Sequence, residues 1–207
     1  MDAIERDPNY ALAHAHLAHC HEILFTHHGF DDANKSAALR HAHVVVTSGT
    51  DDATALAVAA FAIIVLSKDH DAAFAAIERA LSLNRSCATA LYFAALMYSF
   101  AGRPADAISN ANRALRLSPF DPAIFQAPMA LGFAALHEAR YNEAASHFAK
   151  AVQANPRMSY LYFLQADALA LAGRLEEARS IARRGLELFP GYRTGLHAAF
   201  GLAACRT

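Results

Sequence analysis

The sequence predicts an all-α fold of stacked helix pairs, and three observations carry that prediction. The first is repetition. Residues 95–102, 132–139 and 166–173 are each an Ala- and aromatic-rich stretch that ends near Gly or Ala. A short turn follows (Gly102-Arg103-Pro104, Ala139-Arg140-Tyr141, Gly173-Arg174-Leu175), then a second helical stretch, then Pro119, Pro156 or Pro190. Pro156 and Pro190 lie 34 residues apart and Pro119 and Pro156 lie 37 apart. A period in the 30s with two helical patterns per period marks a helical solenoid. The second observation is composition: about a quarter of the 207 residues are Ala, the best helix former, and there is no Trp. The third is a register of small residues. Ala18, Ala60, Ala95, Gly132 and Ala166 fall at one site of each first helix. Ala38, Ala73, Ala107, Ala144 and Ala178 fall early in each second helix, and Val45, Ala80, Ala114, Ala151 and Gly185 later in it. Small side chains at crossing points let helix backbones approach within roughly 8–10 Å.

On this frame the chain reads as one repeat domain over residues 1–207, with units at 11–50, 53–85, 88–119, 122–156 and 159–190. It opens mid-unit, since Ala3 and Pro8 match the end of a second helix, which suggests a piece of something longer. The first complete unit is stretched by eight residues. Its first helix is expected to run to about Phe25, followed by a loop through His28-Gly29-Phe30 and a second helix capped by Asp31 or Asp32. Ala53 to Leu66 is the most apolar run. At 14 residues it falls short of the roughly 20 that a membrane span needs and reads as a buried helix. Asp51, Asp52 and Asp121 stand where new helices should begin and can cap free N–H groups. Pro128 predicts that the helix around it starts late or is kinked. Terminal prolines stop the second helix in the later units, because they lack an N–H and clash with the turn before them, while Thr50 and Arg85 hold that place in the earlier two. Residues 193–205 read as a last helix, plausible as a cap for the stack.

Charge excludes several functions. Eighteen basic and 19 acidic side chains give a net charge of −1, so there is no electrostatic footprint for nucleic acid or an anionic membrane. No basic segment followed by an apolar stretch opens the chain, so no signal peptide is expected. Cys20, Cys87 and Cys205 are scattered and odd in number, which reads as reduced thiols packed as small hydrophobes. There is no GxGxxG, P-loop or GxSxG, so neither an enzyme nor a cofactor is expected.

The small-residue register, turn glycines and terminal prolines resemble the tetratricopeptide repeat family across nearly the whole chain. The resemblance implies a right-handed superhelix of about five helix pairs plus terminal helices, with a protein-binding concave face. The sequence departs from the family at the aromatic anchor early in each first helix, which is His14, Leu56, Leu91, Pro128 and Tyr162 here. Residues 3–20, 75–96 and 110–125 look like the C-terminal repeats of bacterial regulators that carry a class III adenylate or guanylate cyclase domain or a winged helix. The resemblance implies a cytoplasmic regulatory or self-association segment, or a periplasmic one if a membrane span precedes it. The cyclase or winged-helix domain itself has no room in this chain.

Candidate sites follow from that frame. In a solenoid of pairs the first helices line the inside. The inward positions are Thr54, Ala57, Phe61, Ile64 and Val65, then Thr89, Tyr92, Leu96, Ser99 and Phe100, then Gln126, Met129, Phe133, Leu136 and His137, then Tyr160, Phe163, Asp167, Ala170 and Leu171. Phe61, Tyr92, Leu96, Phe100, Met129, Phe133, Tyr160, Phe163 and Asp167 are the expected partner contacts. An apolar, aromatic groove suits an amphipathic helix or apolar peptide. The alternative is that these side chains pack within the fold or against a second copy, making the chain a structural dimerisation scaffold. The family's carboxylate clamp of Lys, Asn and Arg is not matched. Nine of the twelve histidines precede residue 71. His16, His19 and Cys20 share one helical face, His14 and His21 another, and His27, His28, His41 and His43 follow. A metal- or proton-responsive sensor is therefore a second reading, although helix geometry scatters these ligands. Arg174, Arg179, Arg183, Arg184 and Arg193 are interleaved with Glu176, Glu177 and Glu187, as in i, i+3 and i, i+4 pairing on a solvated face.

Overall fold

The computed structural model describes residues 2–28, 31–188 and 190. Among these there are eleven α-helices and no strand. They are α1 (Asp2–Arg6), α2 (Ala11–His28), α3 (Asp32–Thr47), α4 (Ala53–Leu66), α5 (His70–Leu83), α6 (Ala88–Phe100), α7 (Pro104–Leu117), α8 (Gln126–His137), α9 (Tyr141–Ala154), α10 (Ser159–Leu171) and α11 (Leu175–Leu188). The expected last helix at 193–205 and the loop at Gly29-Phe30 lie outside the described residues. The chain divides into two compact units after Phe93, a point inside the continuous helix α6.

In the first unit α2 packs on α3, and α4 packs on α2, α3 and α5. Helix α4 has no polar face: thirteen of its fourteen residues are buried, all but Thr54. A helix that is apolar all round must be covered on all sides. Its neighbours α3 and α5 are amphipathic instead. Ala73, Ala76, Ile77 and Ala80 recur at i, i+3, i+4 and i+7 and make up the buried stripe of α5. In the second unit α7 packs on α8, α8 on α9, α9 on α10, and α10 on α11. The stripe recurs as Ala107, Asn110, Ala111 and Ala114 in α7, while α9 buries Ala144, Ala145, Phe148 and Ala151, at i, i+1, i+4 and i+7.

All fifteen positions of the small-residue register are buried. At two of them the reason for Gly is atomic. A Cβ on Gly132 would lie 2.5 Å from Phe148 Cε1. One on Gly185 would lie 3.0 Å from Phe163 Cζ and 3.1 Å from Tyr162 Cβ. The notch at 132 is therefore filled by an aromatic ring from the partner helix of its own pair.

The turns of the α6–α7, α8–α9 and α10–α11 pairs share one geometry. Arg103 N–H donates to Tyr98 O at 2.9 Å and Gly102 N–H to Ser99 O at 3.2 Å. Arg140 to Ala135 O with Ala139 to Leu136 O, and Arg174 to Leu169 O with Gly173 to Ala170 O, repeat the same two bonds. This is the Schellman ending, which requires a left-handed residue. Gly102 (φ 68°) and Gly173 (φ 78°) supply it without strain, whereas Ala139 (φ 54°) and Lys68 (φ 58°) carry a Cβ there. Left-handed backbone costs a non-Gly residue roughly 1–2 kcal/mol, and Gly loses about 0.5–1 kcal/mol more entropy on folding. Ala139→Gly is therefore expected to raise stability by about 0.5–1 kcal/mol, read as a higher thermal midpoint.

Helix starts differ from the sequence expectation in detail. Asp31 caps α3, accepting from Asn34 N–H, and Asp52 caps α4, accepting from Ala55 N–H. Asp51 does not cap; it stands 3.5 Å from the Arg79 guanidinium. Asp69, at the start of α5, accepts from Ala72 N–H. Asp121 caps no helix. Its carboxylate accepts from Ala123 N–H at 2.8 Å within a turn, and α8 begins only at Gln126. Pro128 is the cause, since it fits only the first turn of a helix, where no N–H is needed. The first helix, α2, runs three residues past Phe25, to His28.

Candidate functional site

The inward positions fall into both units and are described unit by unit. In the first, Phe61 is buried and its ring lies 4.7 Å from that of Phe93, while Tyr92 meets the Phe93 ring edge-on at 6.0 Å. Ala57, Ile64 and Val65 are buried, and Thr54 and Thr89 are half-buried. Phe93 was not among the expected contacts. Nevertheless it is the hub of this cluster, with His19 also edge-on to it at 5.9 Å.

In the second unit Leu96, Ser99, Gln126, Met129, Phe133, Tyr160 and Phe163 are buried. Phe100, Phe133 and Phe148 form a ladder with both ring spacings 5.3 Å and both contacts edge-on. Tyr160 and Phe163 share α10 with Asp167, which is half-buried. The accessible inward positions are at the C-terminal ends of the first helices: Phe100 and Leu136 half-buried, and His137, Ala170 and Leu171 exposed. Phe120 was also missed. It stands 96% exposed in the turn after Pro119, where the sequence carries three residues beyond the repeat length.

The histidines are brought together selectively. His14 is buried, and its Nδ1 lies 2.8 Å from His41 Nδ1. Its Nε2 lies 3.0 Å from the Pro8 carbonyl and donates to it. Tyr162 does the same six residues after its own proline, its hydroxyl donating to Pro156 O at 3.1 Å. His14 therefore fills the anchor role that the aromatic plays in the last pair, and the shared six-residue spacing was the signal for it. His21 stacks on His41 with centroids 6.0 Å apart, and its Nδ1 donates to Asn34 Oδ1 at 2.6 Å. Burial, followed by the charges of His14, His21 and Arg40, holds the His41 imidazole below the ordinary histidine value. His16, Cys20 and His43 are exposed and do not join them. Cys20 thus departs from the expected packed thiol. Cys87 is half-buried, its Sγ 3.6 Å from Thr54 Oγ1, and Cys205 lies outside the described residues. Nothing is described of the His27 and His28 side chains. Among the described residues no three His, Cys, Asp or Glu side chains form a group that could hold a metal ion.

Arg174, just before α11, pairs with Glu177 at 2.7 Å, and Arg179 on α11 pairs with Glu176 at 2.5 Å, both at the expected spacing of three. Arg184 lies 5.7 Å over the Tyr162 ring, and Arg193 is outside the described residues. No described helix is long and apolar enough to cross a membrane.

Two family models, each described as tetratricopeptide repeat, match residues 67–122 and 135–199. No curated protein matches the chain in sequence. Solved structures share the fold. The type IV pilus biogenesis factor PilW superposes with a TM-score of 0.66 at 17% identity, over 92% of this chain and 87% of that one. YrrB, described as a TPR protein with an unusual peptide-binding site, gives 0.54 at 20% identity, over 95% of each chain. MamA (41-end) from Desulfovibrio magneticus RS-1 gives 0.57 at 16% identity, over 87% of this chain and 98% of that one.

Proposed function

This chain belongs to the tetratricopeptide repeat family, and from that premise we propose that it is a non-catalytic protein-binding module that grips its partner along the first-helix face. The observation that carries the reading is the division of that face. In the first unit Phe61 and Tyr92 are buried, and in the second Leu96, Met129, Phe133, Tyr160 and Phe163 are. Phe100, Leu136, Asp167 and Leu171 keep accessible surface at the helix ends. Apolar anchors held on packed helices lose little freedom on binding, and that is where interface energy concentrates. YrrB, with its peptide-binding site, supports a peptide as the kind of partner. The finer reading is a single repeat domain serving as a regulatory or self-association segment of a cytoplasmic bacterial signalling protein. It is supported by the resemblance of residues 3–20, 75–96 and 110–125 to such regulators.

The test uses positions that keep accessible surface, Phe100 half-buried and Leu171 exposed, because a charge at the buried Phe133 or Tyr92 would unfold the chain. A photo-crosslinking residue at 100 or 171, introduced in the native host, is expected to trap one protein partner, whereas the same residue at the exposed outer position Glu187 traps none. Phe100→Ser and Leu171→Glu are each expected to weaken that complex at least ~10-fold, with helical content unchanged. Equal trapping from all three positions would reject the face. Light scattering distinguishes self-association: a dimer that ignores both substitutions would place the interface elsewhere.

A further inference from the structure

The α2–α3 pair contains three imidazoles, with His41 in contact with both His14 and His21, and no carboxylate among them. His14 Nε2 donates to the Pro8 carbonyl, so a neutral His14 has a bare Nδ1. The 2.8 Å contact is then satisfied by His41 Nδ1–H donating to it. One proton can be accommodated. If His14 becomes an imidazolium, His41 changes tautomer and accepts. A second proton on this pair cannot, because two N–H groups would then point at each other across 2.8 Å. His21 lies stacked against the same His41 ring at 6.0 Å, so a charge there opposes a charge on its neighbour.

The surroundings offer no relief. Helix α4, packed on both α2 and α3, has no titratable side chain at all. Arg40 on α3 adds a positive charge. Asp31 is engaged by Asn34 and by its capping bond, and it reaches His21 only through the Asn34 amide. Next to α2, Glu5, Arg6 and Asp7 are exposed, and Asp7 accepts from Asn9 N–H. Asp32 and His43 on α3 are exposed and Lys35 is half-buried. His19 differs: Glu22 lies 3.3 Å away, so an imidazolium there has its counter-ion in place.

We propose that the His14–His41–His21 trio makes the α2–α3 pair a proton-sensitive latch, closed when the trio holds at most one proton and opened by acid ahead of the rest of the chain. The sign follows from linkage. In the open pair each imidazole binds a proton at its ordinary value, about 6.5. The closed pair refuses at least one of them, and His41, already held below that value, is consistent with this. Stability of the pair is therefore full above about pH 6.5 and is lost as pH falls below it, by about ten-fold in the closing equilibrium per pH unit for each refused proton.

Two measurements on the full chain decide it. Imidazole NMR between pH 8 and 5 is expected to show the three histidines titrating as one coupled group, whereas three independent and ordinary titrations would overturn the latch. Amide exchange, corrected for intrinsic rates, is expected to lose about five-fold or more protection in α2 and α3 between pH 6.5 and 5.5, with α8 to α10 unchanged. Equal loss everywhere would mean global acid unfolding instead. His14→Tyr keeps the carbonyl bond that Tyr162 makes and removes one titrating group. It is expected to flatten the pH dependence of α2 and α3, and a pH dependence left intact would overturn the assignment. If that variant misfolds, the NMR titration of the unaltered chain still decides.

Discussion

Phe148→Ala is expected to be among the most damaging single substitutions in this chain, lowering stability by about 3–5 kcal/mol. The ring is fully buried, sits edge-on to Phe133 at 5.3 Å and fills the notch opposite Gly132. Truncation removes apolar contact and leaves a hole bounded by helices that cannot close on it. Neither α8 nor α9 can advance without breaking its packing on α7 or α10. For a chain of this length the thermal midpoint should fall on the order of 10 °C. A drop of only a degree or two in calorimetry would mean that the second unit repacks freely around the site.

The second large effect comes from adding one carbon. Gly132→Ala should gain about 1 kcal/mol of helix propensity, yet a net loss of about 1–2 kcal/mol is expected. Its Cβ would press on Phe148 Cε1 at 2.5 Å, and overpacking a filled core costs about 1–3 kcal/mol or more. The repeat suggests the remedy. The α4–α5 pair has Ala60 and Ile77 at the corresponding two positions, both buried. Combining Gly132→Ala with Phe148→Ile should therefore cost less than the sum of the single changes. A double-mutant cycle by chemical denaturation measures this coupling directly. Strict additivity would show that the ring and the notch do not constrain each other.

Much of this was legible before any coordinates, for a definite reason. A repeat of Ala at fixed spacing reports helix crossings, which are local and periodic, and every one of those positions is buried. Turn residues were legible for the same reason, because the left-handed position needs Gly or tolerates strain. Asp121 looks like a cap by type but does not begin α8, whereas the late start that Pro128 predicts is what α8 shows at Gln126. The inward face was the hardest part. Spacing says which way Phe61 or Leu96 points along its own helix. It does not say how much of each remains open once neighbouring helices are in place. The contact of His14 with His41 joins residues 27 apart on two helices. No periodicity within either helix encodes that pairing.

Helix α4 has one further consequence. With thirteen of its fourteen residues shielded and not one ionisable group, it depends wholly on company. A gene rearrangement that dropped the first two long helices would strip its cover, and the shortened product would be prone to clump with its own kind.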